Sequence, residues 1–463
     1  MKDNPFIHLF ETSDGKYLFD VNKNTIISIP DNVYNFLKKP TTNMDSNVEK
    51  YLHTLKNCGF LKSNRVEISE HSETKYLKYY LDNKLSTLLL QLTQNCNLRC
   101  DYCIYSGNYN TRTHSNKIMD FELAKDGIDF LIKHSRDSDN IFIGFYGGEP
   151  FLNFDLMKKC MDYSLKKIPN KEIYFNVTTN ATLLTKEIVD IIVNYNLTIL
   201  ISLDGPKQIH DEARKFAFNN RGSFDTLYNN LKYIKTKYPD YYKEHILFNT
   251  VLHQSNFGCV DNYIKSDDLL SDSYFMSTFI SDSYSDKKHE ISDSSISEIQ
   301  YEKFLLFLSK IGILNNYKPS KLLDLDFQQI GSIVNSSKID HLPKKSHHSG
   351  VCIPGVQKLF MNVNGDFFPC ERVNELSDFS KIGSIKNGLD YNKIEYMMNI
   401  ENITKEECHN CWAYNHCTIC LSGLEDNNGI KRENILLRCP YVKNSIEEKL
   451  KDYTVLKSLG YNF

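Results

Sequence analysis

Apolar positions along the chain follow three different rhythms. Up to about residue 75, YLFDVNKNTIISI alternates apolar and polar positions on either side of an Asn/Lys-rich turn, while DNVYNFL and NVEKYLHTLKNCGFL carry the wider spacing of amphipathic helices. That predicts a small hairpin-plus-helices unit over residues 1–75. From residue 85 the segments LSTLLLQLT, NIFIGFY, EIYFNVTTN, LTILISLDG, HILFNTVLH and SYFMSTFI predict six buried strands. Between them FELAKDGIDFLIKH, FDLMKKCMDYSLKK, TKEIVDIIVNY, FDTLYNNLKYIKTK and NFGCVDNYIKS predict helices. This alternation implies an α/β fold over residues 85–280, with parallel strands joined by right-handed crossovers in an open sheet or a barrel. The stretch SDSYSDKKHEISDSS, residues 281–295, predicts an exposed loop, and EIQYEKFLLFLSKIGIL a helix, together a bridging region over 281–349. Residues 350–445 break into short pieces punctuated by cysteine, and a last helix is predicted over 446–463.

Composition narrows the class. A chain of 463 residues, 41% hydrophobic and 24% charged, is long enough for two or three domains with a large core. The net charge is −3 with Lys and Arg scattered, so a nucleic-acid partner has no electrostatic footprint. MKDNPFIHLFETSDGKYLF has no long apolar run, and EIVDIIVNYNLTILISL is interrupted by Asp and Asn, which excludes a spanning helix there and leads us to expect a cytoplasmic protein without a membrane partner. In a reducing compartment the 13 cysteines are expected to be metal ligands or core residues. Cys58, Cys160 and Cys259 fall in predicted helices as small core residues, and the other ten form two clusters.

The first cluster is CNLRCDYC, which places Cys96, Cys100 and Cys103 directly after the first barrel strand. That is the strand edge where parallel α/β folds carry their chemistry. A structural zinc site uses four ligands. The nearest further candidate, His114, is not at ribbon-like spacing. A cubane 4Fe-4S cluster can instead be held by three thiolates and keep one iron free. The second strand ends in GFYGGEP, where Gly147 and Gly148 would let the backbone approach a ligand and Glu149 offers a carboxylate. The fourth ends in SLDG, where Ser202 and Asp204 could bond sugar hydroxyls or serve as turn residues.

Cys-x3-Cys-x2-Cys followed by GGEP resembles the signature of the radical S-adenosylmethionine (SAM) enzymes. The resemblance implies a partial (βα)6 TIM-type barrel over residues 85–280, SAM and a SAM-binding 4Fe-4S cluster. It implies that the open iron chelates the amino and carboxylate groups of SAM and that one electron releases a 5′-deoxyadenosyl radical. By it Cys96, Cys100 and Cys103 hold the cluster, Gly147, Gly148 and Glu149 meet the methionyl amine, and Tyr102 lies by the adenine. Ser202, Asp204 and Arg214 are carried over for the ribose and carboxylate.

The second cluster runs Cys352, Cys370, Cys408-x2-Cys411-x5-Cys417-x2-Cys420 and Cys439. It resembles the SPASM extension of enzymes that modify peptides and proteins, with two auxiliary 4Fe-4S clusters. The family has three residues between the last close pair, where Thr418 and Ile419 make two here. Carried over, Cys408, Cys411, Cys417 and Cys439 bind one cluster, and Cys352, Cys370 and Cys420 the other, whose remaining iron is open or takes another ligand such as His347 or His348. The alternative is a zinc site of Cys408, Cys411, Cys417 and Cys420.

In its order of elements the N-terminal unit resembles the RiPP recognition element, a winged-helix-like domain that grips a leader sequence. The ensemble resembles maturases that build sulfur-to-carbon thioether crosslinks in ribosomally made, Cys-rich precursor peptides. That implies a precursor-peptide partner and an electron donor such as ferredoxin or flavodoxin. An anaerobic sulfatase maturase, oxidising Cys or Ser to formylglycine, is the enzymatic alternative. There a carboxylate after the second SPASM cysteine is the proposed base, and Glu371 follows Cys370 where aspartate is expected. A non-catalytic zinc-binding module is the alternative from another class.

Overall fold

The computed structural model describes residues 4–463 apart from 254–255, 286–288, 336–339, 349 and 427–428. At the N-terminus β1 (Ile7–Thr12), β2 (Gly15–Asp20) and β3 (Thr25–Ile29) form an antiparallel sheet in that order. The expected hairpin is β2–β3; β1 adds a strand to it. Alternation fails to mark β1 because its sheet is apolar on both faces, Leu9 packing with Leu18 and Val33 while Phe10 packs with Tyr17 and Phe19. The helices Asp31–Lys38 and Ser46–Asn57 cover the first face. The second lies on Ala413, Tyr414, Ile446 and Leu450, so the N-terminal unit and the Cys-rich region share an apolar core.

A short parallel pair, β4 (Ile68–Ser69) with β11 (Lys345–Ser346), ties the connector to the bridging region. Between them come β5 (Thr87–Thr93), β6 (Asn140–Gly147), β7 (Glu172–Thr179), β8 (Thr198–Ser202), β9 (Ile246–Leu252) and β10 (Tyr274–Phe279). All six pair in parallel with their sequence neighbours and helices cross between them, which is the partial barrel. Leu88, Leu90, Ile143, Phe145 and Val177 are buried under helices such as Phe121–His134, which starts where the Asp120 carboxylate accepts the Leu123 N–H at 2.8 Å.

The barrel sheet does not stop at β5. β12 (Leu359–Met361) pairs in parallel with β5, Leu359 beside Leu88, and β13 (Asp366–Phe368) folds back antiparallel on β12. The Cys-rich region is therefore stitched into the sheet, and Cys370 stands two residues beyond β13. The helix expected from residue 446 begins at Arg432 and runs to Ser458, with Pro440 inside it; a proline beside a cysteine reads as a break, which hid the first turns. The bridging helix spans Asp293–Lys310, and residues 286–288 of the expected loop lie outside the described residues. Cys160 is buried as expected, but Cys58 and Cys259 are exposed, because each sits on the solvent side of its segment.

Candidate active site

Cys96, Cys100 and Cys103 line a cavity of about 390 Å³ at the carboxyl ends of the barrel strands. The Leu98 N–H donates to Cys96 Sγ at 3.3 Å and the Tyr105 N–H to Cys103 Sγ at 3.4 Å. Burial pushes the Cys100 thiol up to about 12 and also raises Cys96 and Cys103. Arg214, a nearby cation, is already paired with Asp204 at 2.8 Å. A metal would supply the missing positive charge, since a coordinating thiol loses its proton.

The GGEP turn is built against this loop. Gly148 N–H donates to Thr93 O and Glu149 N–H to Asn95 O, both at 2.9 Å. A Cβ on Gly147 or Gly148 would stand 2.1 Å from the Thr93 or Asn95 carbonyl oxygen, so these glycines allow the turn to touch the cysteine loop as well as the cavity. Glu149 lines the cavity, but its carboxylate is largely engaged within the protein. Its buried carboxylate accepts the Phe151 N–H at 3.0 Å, the Thr179 hydroxyl at 2.8 Å and the Asn180 N–H at 2.8 Å. It therefore fixes the ends of β6 and β7, and burial lifts its pKa to about 7.

Asp204 is likewise engaged within the protein, and it is fully buried. One oxygen accepts Arg214 Nε at 2.8 Å and the Tyr102 hydroxyl, the other accepts Arg214 Nη2 at 3.1 Å and the Val251 N–H at 3.2 Å. No lone pair is left over for a ribose. Tyr102 and Arg214 line the cavity, with the guanidinium 5.4 Å from the Tyr102 ring centroid. Ser202 lines it as well, opposite Asn249 on β9.

The same cavity is lined by Glu371, Arg372, Val373 and Ser422, close in sequence to Cys370 and Cys420. Glu371 is held by Lys358 Nζ at 3.0 and 3.1 Å. After burial, the neighbours that raise the Cys352 thiol are Cys370 and Cys420, those that raise Cys417 are Cys411, Cys439 and Glu401, and those that raise Cys408 are Glu401, then Cys417 and Cys411. The thiols thus fall into a set of three and a set of four. Among the described residues no three of these sulfurs lie within 4.8 Å of one another. Four sulfurs about 2.3 Å from one zinc would lie about 3.8 Å apart. A cubane spreads its thiolates over four irons and so needs no such close approach of the sulfurs. His347 and His348 instead surround the buried Glu401: Glu401 N–H donates to His347 Nε2 at 3.2 Å, and His348 N–H donates to Glu401 Oε2 at 2.6 Å. Ser69 and Tyr414 hydroxyls bond the same carboxylate.

Tyr146, Asn180 and Asn249 also line the cavity and were not singled out from the sequence. Asn180 Nδ2 reaches Cys96 Sγ at 3.8 Å. The available signal was a polar residue closing each buried strand, in GFYGG, VTTN and LFNT.

Residues 90–263 match the model described as the Radical SAM superfamily. The chain carries a radical SAM domain and is an enzyme; the non-catalytic alternative is overturned. It is 26% identical over 406 residues to a cysteine-type anaerobic sulfatase-maturating enzyme of Clostridium novyi, covering 81% of this chain and 98% of that protein. It is 23% identical over 393 residues to the radical SAM cyclopropyl synthase TigE of Paramaledivibacter caminithermalis, covering 78% and 73%. An uncharacterized protein of Methanocaldococcus jannaschii is 39% identical over 140 residues, which span 30% of this chain and 46% of its own length. Among solved structures, native anSMEcpe with bound AdoMet superposes with a TM-score of 0.60 at 20% identity, over 81% of this chain and 100% of that one. The cofactors of this class are a 4Fe-4S cluster and SAM, and the unbridged, apolar-set thiols fit the cluster. Among the described residues no helix is long and apolar enough to cross a membrane.

Proposed function

We propose that the chain is a peptide maturase that joins a cysteine sulfur to carbon in a ribosomally made, Cys-rich precursor. The observation that carries this reading is the single cavity lined both by Cys96, Cys100 and Cys103 and by the segment Glu371–Val373 beside Cys370. When bound at the first three thiols, cluster and SAM supply a 5′-deoxyadenosyl radical that removes a hydrogen atom. In this reading Cys352, Cys370 and Cys420 hold an auxiliary cluster facing the substrate, Cys408, Cys411, Cys417 and Cys439 hold a second, and Ser202 with Asn249 bonds the ribose. Gly147 and Gly148 carry the backbone past the methionyl group, while Glu149 and Asp204 hold strand ends in place. The electron comes from ferredoxin or flavodoxin.

The outer edge of β3 supports a leader-binding role for the N-terminal unit, because it has no strand partner among the described residues, whereas β1 is backed by the C-terminal helix through His8 and Glu447 at 3.0 Å. A second reading, formylglycine formation, is favoured by the names of relatives in Clostridium and by Glu371 on the cavity wall. Mass spectrometry of a Cys-rich peptide after anaerobic turnover separates them. The thioether reading requires loss of two hydrogen atoms with all sulfur retained; formylglycine requires loss of sulfur from one cysteine. Leaderless peptide that binds as tightly as full precursor would remove the N-terminal role.

A further inference from the structure

Among the polar groups lining the cavity, the Tyr146 hydroxyl has no hydrogen-bond partner among the described residues. Tyr146, the residue before Gly147, is part-buried and lines the cavity, within electrostatic reach of Cys103, Glu371 and Arg112. Its ring packs edge-on to Phe360 at 6.1 Å between centroids, and among the described residues its hydroxyl has no hydrogen-bond partner. Of the polar side chains around it, Gln91 donates to the Tyr105 hydroxyl and to Glu375, each at 2.9 Å, and Glu371 is held by Lys358, while Thr111 Oγ1 and Arg112 Nη1 on the same cavity also lack a hydrogen-bond partner among the described residues. Behind Tyr146, Arg112 is 2% exposed, 3.2 Å from Glu375, and donates to Val373 O at 2.9 Å. Buried phenols find a partner, and this one faces where a substrate would lie.

We infer that the Tyr146 hydroxyl donates a hydrogen bond to a backbone carbonyl of the substrate peptide at the reacting residue, and so selects which C–H faces the three-cysteine wall. A backbone carbonyl is the acceptor because the phenol O–H is a donor and a peptide presents a carbonyl at every residue, here beside the apolar Phe360 and Val373. The inference rests on the peptide-substrate reading above, and the test separates the two.

Full-length enzyme, reconstituted with clusters and SAM, is titrated with two short synthetic peptides carrying one central cysteine, identical except that the second has a CH2 in place of the cysteine carbonyl. Tyr146→Phe removes only the hydroxyl and orphans no protein group. Its affinity for the normal peptide should fall about tenfold, and the wild-type preference for that peptide over the reduced one should vanish. The 5′-deoxyadenosine formed per modified peptide should rise, which a merely structural role would not produce. Equal affinity of both enzymes for the normal peptide overturns the inference; so does a loss that appears in SAM binding instead. Wild-type enzyme that prefers the normal peptide but leaves it chemically unchanged overturns the maturase reading and not the hydrogen bond. Wild-type enzyme that binds neither peptide overturns both.

Discussion

The barrel and the Cys-rich region both line one cavity, but they are held by different means. Behind Cys96, Cys100 and Cys103 stand strands whose side chains are buried on both faces, so the loop rests on a scaffold that does not depend on it. Cys352, Cys370 and Cys420 sit in irregular backbone beside strands of two or three residues. Short elements bury little apolar surface each, and metal binding there counts as folding free energy. The lesson is that the same ligand chemistry is separable from stability in one region and bound up with it in the other.

The sharpest way to break that comparison is to empty both sites. Replacing Cys96, Cys100 and Cys103 together by Ala should abolish 5′-deoxyadenosine formation while thermal unfolding of the barrel changes little; product formed with dithionite would show that the radical arises elsewhere. Cys408→Ala or Cys439→Ala should lower iron content and stop peptide modification, with some uncoupled SAM cleavage left, and should loosen residues 350–445 in hydrogen exchange. Intact protection there would erase the contrast between the regions. Leu90→Ala cuts into the scaffold itself, beside Phe145 and Met361, and should cost about 3 kcal/mol in denaturant unfolding.

A smaller effect concerns acid. Burial, and then the nearby Arg214, lower the His210 pKa from 6.5 to about 3. The folded state refuses a proton that the unfolded chain accepts, so the stability this neutral ring contributes is present above pH 6.5 and is lost as pH falls towards 3, by up to about 1.4 kcal/mol per pH unit. His210→Gln should flatten that slope. Smallest of all, Cys58→Ser with Cys259→Ser should leave iron content alone and shift stability by less than about 0.5 kcal/mol, since both are exposed.

Legibility in the sequence followed the same division. The six barrel strands and the helices 121–134, 154–167 and 224–237 could be read residue by residue, because each buries a continuous apolar face. β1, β12 and β13 could not: three-residue strands have no period, and β1 is apolar on both sides. The family resemblance proposed a grouping of the thiols, but not the side-chain partners of Glu149 and Asp204. A carboxylate at a strand end looks alike whether it turns to a ligand or to the N–H groups of the next strand, and here both turned inward.

The pairing of β12 with β5 also sets an order in time. A ribosome completes all six barrel strands before it makes Leu359–Met361, so the first strand of the sheet is the last to be flanked on its outer side. At ordinary rates of synthesis, about 5–20 residues per second, that interval lasts roughly ten seconds. During it the amide edge of β5 is bare and able to pair with another nascent chain. The Cys-rich segment that completes the cavity is thus also the cap that ends this exposure, and chains released before Leu359 would leave the ribosome with a sticky edge.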